Sequence, residues 1–458
     1  MSTGEIPLAP GGLPLLGHLL PMLRDPVDFL ASLPVHGDAV RIRLGTASVI
    51  VVCTPELTRQ VLLNDRVFDK GGPIFDRIRE VAGNGLGTCP HSDHRRQRRL
   101  VQPAFHRDRM PGYAEVMAAQ IRSATDRWRT DRDLDVLAEL THLTATTLVE
   151  TMLSSTLSPT TLHDAVEDLA TVMSGIYRRT IAPQLNVLPT PGNRRYFRAR
   201  TRLRKMLSEI IADRRNDGTD RGDLLSALLV AQDTDGTGQD QGLTDTEISD
   251  QVISLFLAGA EATATALAWA LHLVAIHPDI ERRLHDEVDR VLCGGSATFT
   301  HLPELEMTGR VVTETLRLYP PVWMFSRTVT ADTRLGDHSV PAGSAIIFSP
   351  YLVHHRGDLF DEPDSFDPDR WDGRRPQPPR NGFIPFGSGA RKCVGDEFGT
   401  NEVVLALATI TARWRLVPAS RHEVRPAAAL ALTPRGLRMR VIDRAEPLVS
   451  PDGVPKEN

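Results

Sequence analysis

Residues 386–395 have the sequence Phe-Gly-Ser-Gly-Ala-Arg-Lys-Cys-Val-Gly, in which a glycine-rich loop leads to Cys393 just before a predicted helix. Backbone N–H groups at a positive helix end, with Arg391 two residues before the sulfur, favour the thiolate form of a cysteine. No second cysteine or histidine stands at zinc spacing, so one thiolate suits a cofactor with a single protein ligand, and haem iron is the leading case. For an isolated cysteine the competing interpretation is a small buried hydrophobe.

The composition is that of a soluble globular protein. The chain has 458 residues, of which 41% are hydrophobic and 24% charged, which excludes disordered and fibrous classes. Its 53 basic and 58 acidic residues give a net charge of -5, so no general field attracts nucleic acid. The four cysteines, Cys53, Cys89, Cys293 and Cys393, are far apart and fit neither a disulfide framework nor a zinc ribbon, which indicates a cytoplasmic protein.

The apolar stretch near the N-terminus is too short to anchor the chain in a membrane. It covers Leu13 to Leu23, about eleven residues, and Pro14, Gly17 and Pro21 interrupt it. A membrane-spanning helix needs roughly 20 apolar residues. We therefore expect no membrane anchor.

Helix dominates the predicted secondary structure, with a minor sheet component and no alternation of strand and helix that would indicate a doubly wound sheet. Residues 39–44 and 49–52 predict two strands joined by a turn near Gly45. The glycines and prolines of 71–73 and 83–90 mark a long loop, and a last helix is expected from about Asp396 to Trp414.

A long helix is predicted to start after Thr244. Thr244 and Glu247 form a capping box, and no helix breaker follows until Pro278, so the helix would run some 30 residues, on the order of 45–50 Å. Its middle is rich in small residues, with Gly259 and a single acid, Glu261, in apolar surroundings. Two interpretations stay open: close helix packing, or a bulky flat ligand against the helix with Glu261 serving the chemistry.

The pattern Phe-x-x-Gly-x-Arg-x-Cys-x-Gly of residues 386–395 resembles the haem-ligand signature of the cytochrome P450 family at every fixed position. The resemblance implies a mainly α fold with small β-sheets and a long central helix across the haem. It implies that Cys393 is the axial ligand of haem b iron and that Phe386 belongs to the cofactor site. It covers residues 13–441 as a single domain, with a flexible segment at 1–12 and a tail at 442–458.

By the same resemblance, basic side chains pair with the haem propionates. His94 and Arg98 share a helix face at i, i+4, and Arg327 and Arg391 would join them, since arginine suits bidentate carboxylate binding. The alternative for His94 and Arg98 is a solvated basic face.

Electrons would come from NAD(P)H through separate proteins, because only 65 residues follow Cys393. The remaining arginines of residues 94–99, with Lys392, would form the surface where an acidic ferredoxin docks, supplied by a ferredoxin reductase. We expect the enzyme to be a monomer.

A second set of residues resembles the structural triad of the family. Glu314 and Arg317 lie on one helix face, and Arg370 lies in a segment, 366–371, whose arginine joins such a pair. Taken alone, the i, i+3 pair is more often a weak surface salt bridge.

The sequence departs from the family where an acid and an alcohol relay protons to bound oxygen. Ala262 stands at the alcohol position, and Thr263 is rotated by about 100°. Three alternatives follow: Thr263 or water works with Glu261, a substrate hydroxyl completes the relay, or oxygen activation is poor.

The stretches 68–73, 93–106 and 318–323 resemble actinobacterial sesquiterpene oxygenases of the pentalenene type. We therefore expect hydroxylation, in one or successive steps, of a terpenoid in specialised metabolism such as antibiotic biosynthesis. A hydroxylase or epoxidase of polyketide macrolactones is the first alternative, and a non-catalytic haem-binding carrier or sensor is a remote one. The substrate is expected to contact residues from 71–88 and 172–188 and the following side chains: Ala258, Ala262, Val322 and Phe325.

Overall fold

A computed structural model describes residues 5–154, 157–181, 186, 188–233, 242–420 and 423–444. The α-helices are α1 (Leu19–Arg24), α2 (Pro26–Ala31), α3 (Pro55–Leu63), α4 (Pro73–Ala82), α5 (His91–Val101), α6 (Met110–Thr125), α7 (Val136–Leu153), α8 (Pro159–Ile181), α9 (Pro191–Asp217), α10 (Leu224–Val230), α11 (Asp245–Ile276), α12 (Pro278–Leu292), α13 (Glu306–Leu318), α14 (Pro350–His354) and α15 (Asp396–Arg413). Residues 1–4 of the predicted flexible segment, 445–458 of the predicted tail, and 182–185 and 187 of the predicted substrate segment lie outside the described residues.

The strands form small sheets. They are β1 (Ala39–Leu44), β2 (Ala47–Val52), β3 (Phe68–Asp69), β4 (Asp133–Asp135), β5 (Phe325–Val329), β6 (Thr333–Leu335), β7 (His338–Val340), β8 (Ala345–Phe348), β9 (Trp414–Pro418), β10 (Pro426–Ala428), β11 (Leu432–Pro434) and β12 (Arg438–Asp443). The largest sheet has the order β1-β2-β8-β5-β3, a second has the order β4-β12-β9, and β6-β7 and β10-β11 are pairs. The predicted mainly α fold with small sheets is confirmed.

The five-stranded sheet is buried on both faces. Ile50 and Val52 of β2 belong to one apolar cluster and Val49 and Val51 to another, as the alternation of side chains along a strand requires. The predicted turn between β1 and β2 is present, with Gly45 at a φ of +64°. This rigid sheet carries β5, whose residues reach the functional site.

Helix α11 crosses the helical core. Its capping box is present, since Thr244 Oγ1 accepts from the Glu247 backbone N–H and the Glu247 carboxylate accepts from the Thr244 N–H. The predicted start and the end before Pro278 are both confirmed. By length and composition α11 could cross a membrane, but 67% of its most apolar window is buried inside the protein, as in the core helix of a globular domain.

The prediction of a continuous loop after residue 71 is wrong, because helix α4 occupies residues 73–82. Gly72 and Gly83, at φ +95° and +60°, stand at its two ends, and Pro73 takes its first position. Proline at the first helical position and glycine beyond the last are start and stop signals, so the residues interpreted as loop markers delimit a helix.

Candidate functional site

The Cys393 loop, residues 386–395, joins the sheet side of the molecule to helix α15. The Cys393 N–H donates to the Phe386 carbonyl at 2.9 Å, which closes the loop on itself. Gly389 adopts φ +70°, and a Cβ there would lie 2.5 Å from the Leu62 carbonyl oxygen. The glycine is therefore required by both the turn and the close approach of α3. Phe386 is half-buried and packs against the helical core.

The environment of the Cys393 thiol differs from the sequence expectation. The residue is exposed, yet desolvation of the sulfur by the protein around it raises the pKa of the thiol. A hydrogen bond from the Gly395 backbone and the charges of Arg98 and Lys392 act in the opposite direction and lower the pKa. The loop alone therefore does not make a thiolate, and binding of a metal must displace the proton.

Helix α11, which holds the small-residue stretch, contacts α15, the helix that follows the Cys393 loop. Ala258 is exposed and Glu261 and Ala262 are half-buried, although most of the helix around them is buried. These positions are three and four residues apart and so share one face of α11, the face expected to line the cavity for cofactor and substrate. Gly259 instead packs against α7, where a Cβ would lie 2.9 Å from Leu148 Cδ2. The two interpretations of the small residues therefore apply to different faces of the same helix.

Thr263, the candidate substitute for the absent alcohol, is buried and turned toward α15. Its Oγ1 lies 3.8 Å from the position that a Cβ on Gly399 would take. Glu261, two residues before Thr263 on α11, has a carboxyl whose pKa is raised by burial. The role of Thr263 in proton transfer stays a prediction.

Arg391 and Arg327 lie together in a buried basic region. The guanidinium of Arg391 pairs with Asp65 at 2.9 Å and with Asp69 at 2.8 Å. Arg327 is buried on β5, donates to the Ser326 carbonyl at 2.7 Å, and has a pKa lowered to about 10 by burial and by the charge of Arg391. Two arginines from distant parts of the sequence thus share one electrostatic environment.

His94 and Arg98 lie on consecutive turns of α5 and complete this region. His94 is buried, and burial with the neighbouring charges of Arg391 and Lys70 lowers its pKa to about 3. Arg98 donates to the Lys392 carbonyl at 2.5 Å, at the edge of the Cys393 loop. His94 is buried and Arg98 is half-buried, so neither side chain is a freely solvated surface group.

Sequence reasoning missed Lys70, which lies at the centre of the same region. Its ammonium donates to the carbonyls of Leu86 and Gly87 at 3.2 and 2.7 Å. Burial, followed by the charges of Arg391 and Arg327, lowers its pKa to about 7. The signal was available in the sequence, because lysine is rare in this arginine-rich chain and Lys70 follows a strand directly. We call the following residues the basic cluster: Lys70, His94, Arg98, Arg327 and Arg391.

These features fit haem. The basic cluster brings the buried guanidinium groups of Arg327 and Arg391 and the half-buried Lys70 close to Asp65 and Asp69, so an anionic group of a cofactor would gain favourable ion pairs there. The propionates of haem carry such charge. The thiol of Cys393 supplies one metal ligand, and no group of three or more metal-ligating side chains occurs among the described residues.

Glu314 and Arg317 are fully buried, and the largely buried Arg370 joins them. Arg317 forms a bidentate pair with Glu314 at 2.8 and 2.9 Å, and Arg370 Nε donates to the same carboxylate at 3.1 Å. The Trp371 indole N–H also donates to it at 2.9 Å, a contact that sequence reasoning did not include. Every lone pair of the buried carboxylate thus faces a donor, as a buried charge requires.

The two remaining candidates for substrate contact lie at and before β5. Phe325 is half-buried, begins β5 and stacks on Phe348 with a centroid separation of 5.1 Å, whereas Val322 is exposed. Neither position is tested by a bound molecule, and both stay predictions.

The family model for cytochrome P450 matches residues 7–440. The chain therefore belongs to the cytochrome P450 family and is a haem b monooxygenase that receives electrons from NAD(P)H through partner proteins.

Curated relatives cover nearly the whole chain. A cyclooctat-9-en-7-ol 5-monooxygenase of Streptomyces melanosporofaciens is 47% identical, covering 90% of this chain and 89% of the relative. A cyclooctatin synthase of the same organism is 46% identical, covering 94% of each. A pentalenene oxygenase of Streptomyces avermitilis is 44% identical, covering 95% and 97%. Among solved structures, the cytochrome P450DA heme domain superposes with a TM-score of 0.86 at 26% identity, covering 96% of this chain and 98% of that chain.

Proposed function

We propose that this monooxygenase hydroxylates a terpenoid in specialised metabolism, in one or successive steps. The observation that carries the proposal is the similarity to three relatives named for terpenoid oxidation. This chain is 44–47% identical to them and covers at least 89% of the length of each. One of these is named for an alcohol substrate and another for an alkene, so both an alcohol and a hydrocarbon are candidates. The apolar lining at Ala258, Ala262, Val322 and Phe325 suits either.

The cofactor site follows from the basic cluster and the Cys393 loop. Cys393 would ligate the iron, and the basic cluster would hold the propionates, with Arg98, Arg327 and Arg391 as cations and His94 as a hydrogen-bond donor. When bound, haem b supplies the activation of dioxygen that inserts one oxygen atom into the substrate. Arg391 keeps Asp65 and Asp69 as partners, which holds its guanidinium in a fixed orientation at the cavity edge.

Glu261 would move protons in the cavity. Burial raises the pKa of this carboxyl above its usual value, which brings it closer to the pH at which it both donates and accepts protons efficiently. Thr263 faces α15, and Ala262 has no hydroxyl, so water or a hydroxyl of the substrate would stand between Glu261 and the reacting oxygen. A hydroxylated substrate would thus take part in its own oxidation.

The redox partner is proposed to be a ferredoxin that docks near Lys392. Lys392, within the Cys393 loop, and Arg95, on α5, are exposed, and Lys392 also pairs with Asp396. Several neighbouring arginines are engaged in ion pairs, among them Arg96 with Glu247 at 2.6 Å and Arg99 with Asp233 at 2.8 Å. The docking charge is therefore concentrated on a few side chains, and acidic residues of a ferredoxin would complement it.

We further propose a monomeric enzyme of one domain, residues 13–441, that works in the cytoplasm. The cysteines of the described residues are all free, as expected in a reducing compartment.

An optical titration tests the substrate class. A reduced carbon-monoxide spectrum first establishes thiolate ligation, and Cys393→Ala must abolish it. Sesquiterpene hydrocarbons, terpene alcohols and hydroxylated macrolactones are then added to the ferric protein while the high-spin shift is followed. A shift with a terpenoid, and its oxidation in the presence of ferredoxin, reductase and NADPH, supports the proposal. A shift with macrolactones alone would favour polyketide oxidation instead of terpenoid oxidation. A terpenoid that binds but stays unchanged under turnover conditions would indicate a carrier or sensor.

A further inference from the structure

Helix α7 contacts α11 directly beside Glu261. Thr144 Oγ1, on α7, donates to the Ala260 carbonyl oxygen at 2.7 Å, and both residues are buried. The other acceptor within reach, the Thr141 carbonyl of its own helix, is 3.4 Å away. The hydroxyl of Thr144 therefore bonds mainly across to α11.

This orientation is not the usual one for a threonine inside a helix. Such a hydroxyl commonly bonds to the carbonyl four residues earlier in its own helix. Thr147 and Thr151, further along α7, do this, with distances of 2.9 Å to the Leu143 carbonyl and 2.7 Å to the Thr147 carbonyl. They provide an internal comparison for Thr144 within the same helix.

A second contact fixes the adjacent residue of α11. Gly259 lies against Leu148, whose Cδ2 would be 2.9 Å from a Cβ at that position. Thr144 and Leu148 are four residues apart and share one face of α7. Two consecutive residues of α11 are thus held, one by a hydrogen bond and one by close packing, on the side away from the cavity.

Holding these residues determines where the cavity face of α11 lies. We propose that Thr144 is a positioning residue, which holds the α11 backbone at Ala260 and so sets the location of the Glu261 carboxyl in the cavity. This inference rests on the proposed role of Glu261 in proton movement. A hydrogen bond that enters a helix from outside is one of the recognised causes of local helix bending.

The surroundings of Glu261 leave the position of its carboxyl to the α11 backbone. Burial is the cause that raises its pKa, and no charged side chain among the described residues contributes to that shift. At the next position Ala262 offers no hydroxyl that would hold the carboxyl from its own helix. The location of Glu261 therefore depends on the path of the α11 backbone.

The test compares the haem-loaded enzyme with Thr144→Val, Thr144→Ser and the matched control Thr147→Val. Infrared titration follows the Glu261 carboxyl, identified by the band that Glu261→Gln removes. Hydrogen exchange follows the amides of residues 255–266. Turnover gives the product formed per NADPH consumed and KM.

We expect Thr144→Val to lower product per NADPH by about threefold or more, because small misplacements at a reacting centre are costly, with little change in KM. Water would reach Glu261 more easily, so its titration midpoint should fall by about half a unit or more toward the usual value. Exchange in residues 255–266 should accelerate. Thr144→Ser should retain the parent values, as should Thr147→Val.

The inference is overturned if Thr144→Val matches Thr147→Val in all three measurements. It is equally overturned if Thr144→Val only loses stability while the Glu261 midpoint and the product ratio stay unchanged, since the bond is then purely structural. If the parent enzyme oxidises no terpenoid, the proposed function fails, and the Glu261 midpoint and hydrogen exchange decide this inference independently.

Discussion

The Lys70 ammonium donates to the Gly87 carbonyl at 2.7 Å and so ties strand β3 to the chain that follows helix α4. The same ammonium belongs to the basic cluster, next to Arg391 and Arg327. The Lys70 side chain therefore connects the segment after α4 with the site proposed for the haem propionates.

Lys70→Met should change the pH dependence of stability of the haem-free protein. In the folded protein the pKa of Lys70 is lowered to about 7, whereas the ordinary value is 10.5. Between these values the unfolded chain binds more protons, so the free energy of unfolding of the parent should increase with pH from about 7 to 10. Denaturant unfolding at pH 7 and 9 should show a smaller increase in the variant. An equal increase in both proteins would contradict the buried location.

Glu402→Gln should have the opposite pH dependence. Glu402 is buried on α15, its Oε1 has no hydrogen-bond partner among the described residues, and burial raises its pKa to about 8. Between the ordinary value of 4.5 and 8 the folded state binds more protons, so this group makes the parent lose stability as pH rises.

The Tm of Glu402→Gln should therefore exceed that of the parent more at pH 8 than at pH 5. Glu209→Gln, on the exposed face of α9, is the control and should leave Tm nearly unchanged at both values. A Glu402→Gln difference that is independent of pH would refute the prediction.

Glu314→Gln should be strongly destabilising. It leaves the fully buried Arg317 and the largely buried Arg370 without their shared carboxylate, and breaking a buried pair typically costs about 3–5 kcal/mol. Glu423→Gln removes an exposed partner of Arg425 and should cost less than about 1 kcal/mol. Urea unfolding of the haem-loaded proteins measures both, and similar losses in the two variants would disprove the distinction.

Substitutions in α11 should separate the candidates for proton delivery. Glu261→Gln should lower product per NADPH by about tenfold or more, because it removes the group that titrates in the cavity. Thr263→Ala should change this ratio by less than about twofold, since its hydroxyl faces Gly399. The ratio of product to hydrogen peroxide measures both effects. A large decrease of this ratio in Thr263→Ala would show that Thr263 takes part in proton delivery.

Local patterns in the sequence predicted the parts of the molecule that depend on neighbouring residues. The capping box located the start of α11. The ten residues around Cys393 predict a thiol ligand for haem iron, and that role stays a prediction. Glu314 and Arg317 were paired from helical spacing alone. Each case depends on residues within about one or two turns of each other.

The sequence did not predict features that require distant segments to meet. Lys70 and Arg391 come together only after β3, α5 and the Cys393 loop have packed. The orientation of Thr263 toward Gly399 depends on how α11 crosses α15. The contact between Thr144 and Ala260 joins residues 116 positions apart, and no periodic pattern encodes it.

The environment of Arg317 has a consequence for how the cofactor is acquired. Beyond Glu314, its guanidinium donates to the carbonyls of His354, Pro363 and Ser365, which belong to the chain that leads to the Cys393 loop. This chain has little regular secondary structure, so ordering it during cofactor capture would carry a large entropic penalty. Because the buried Arg317 guanidinium already holds three carbonyls of this segment, less of that entropic penalty would remain when the cofactor binds at Cys393.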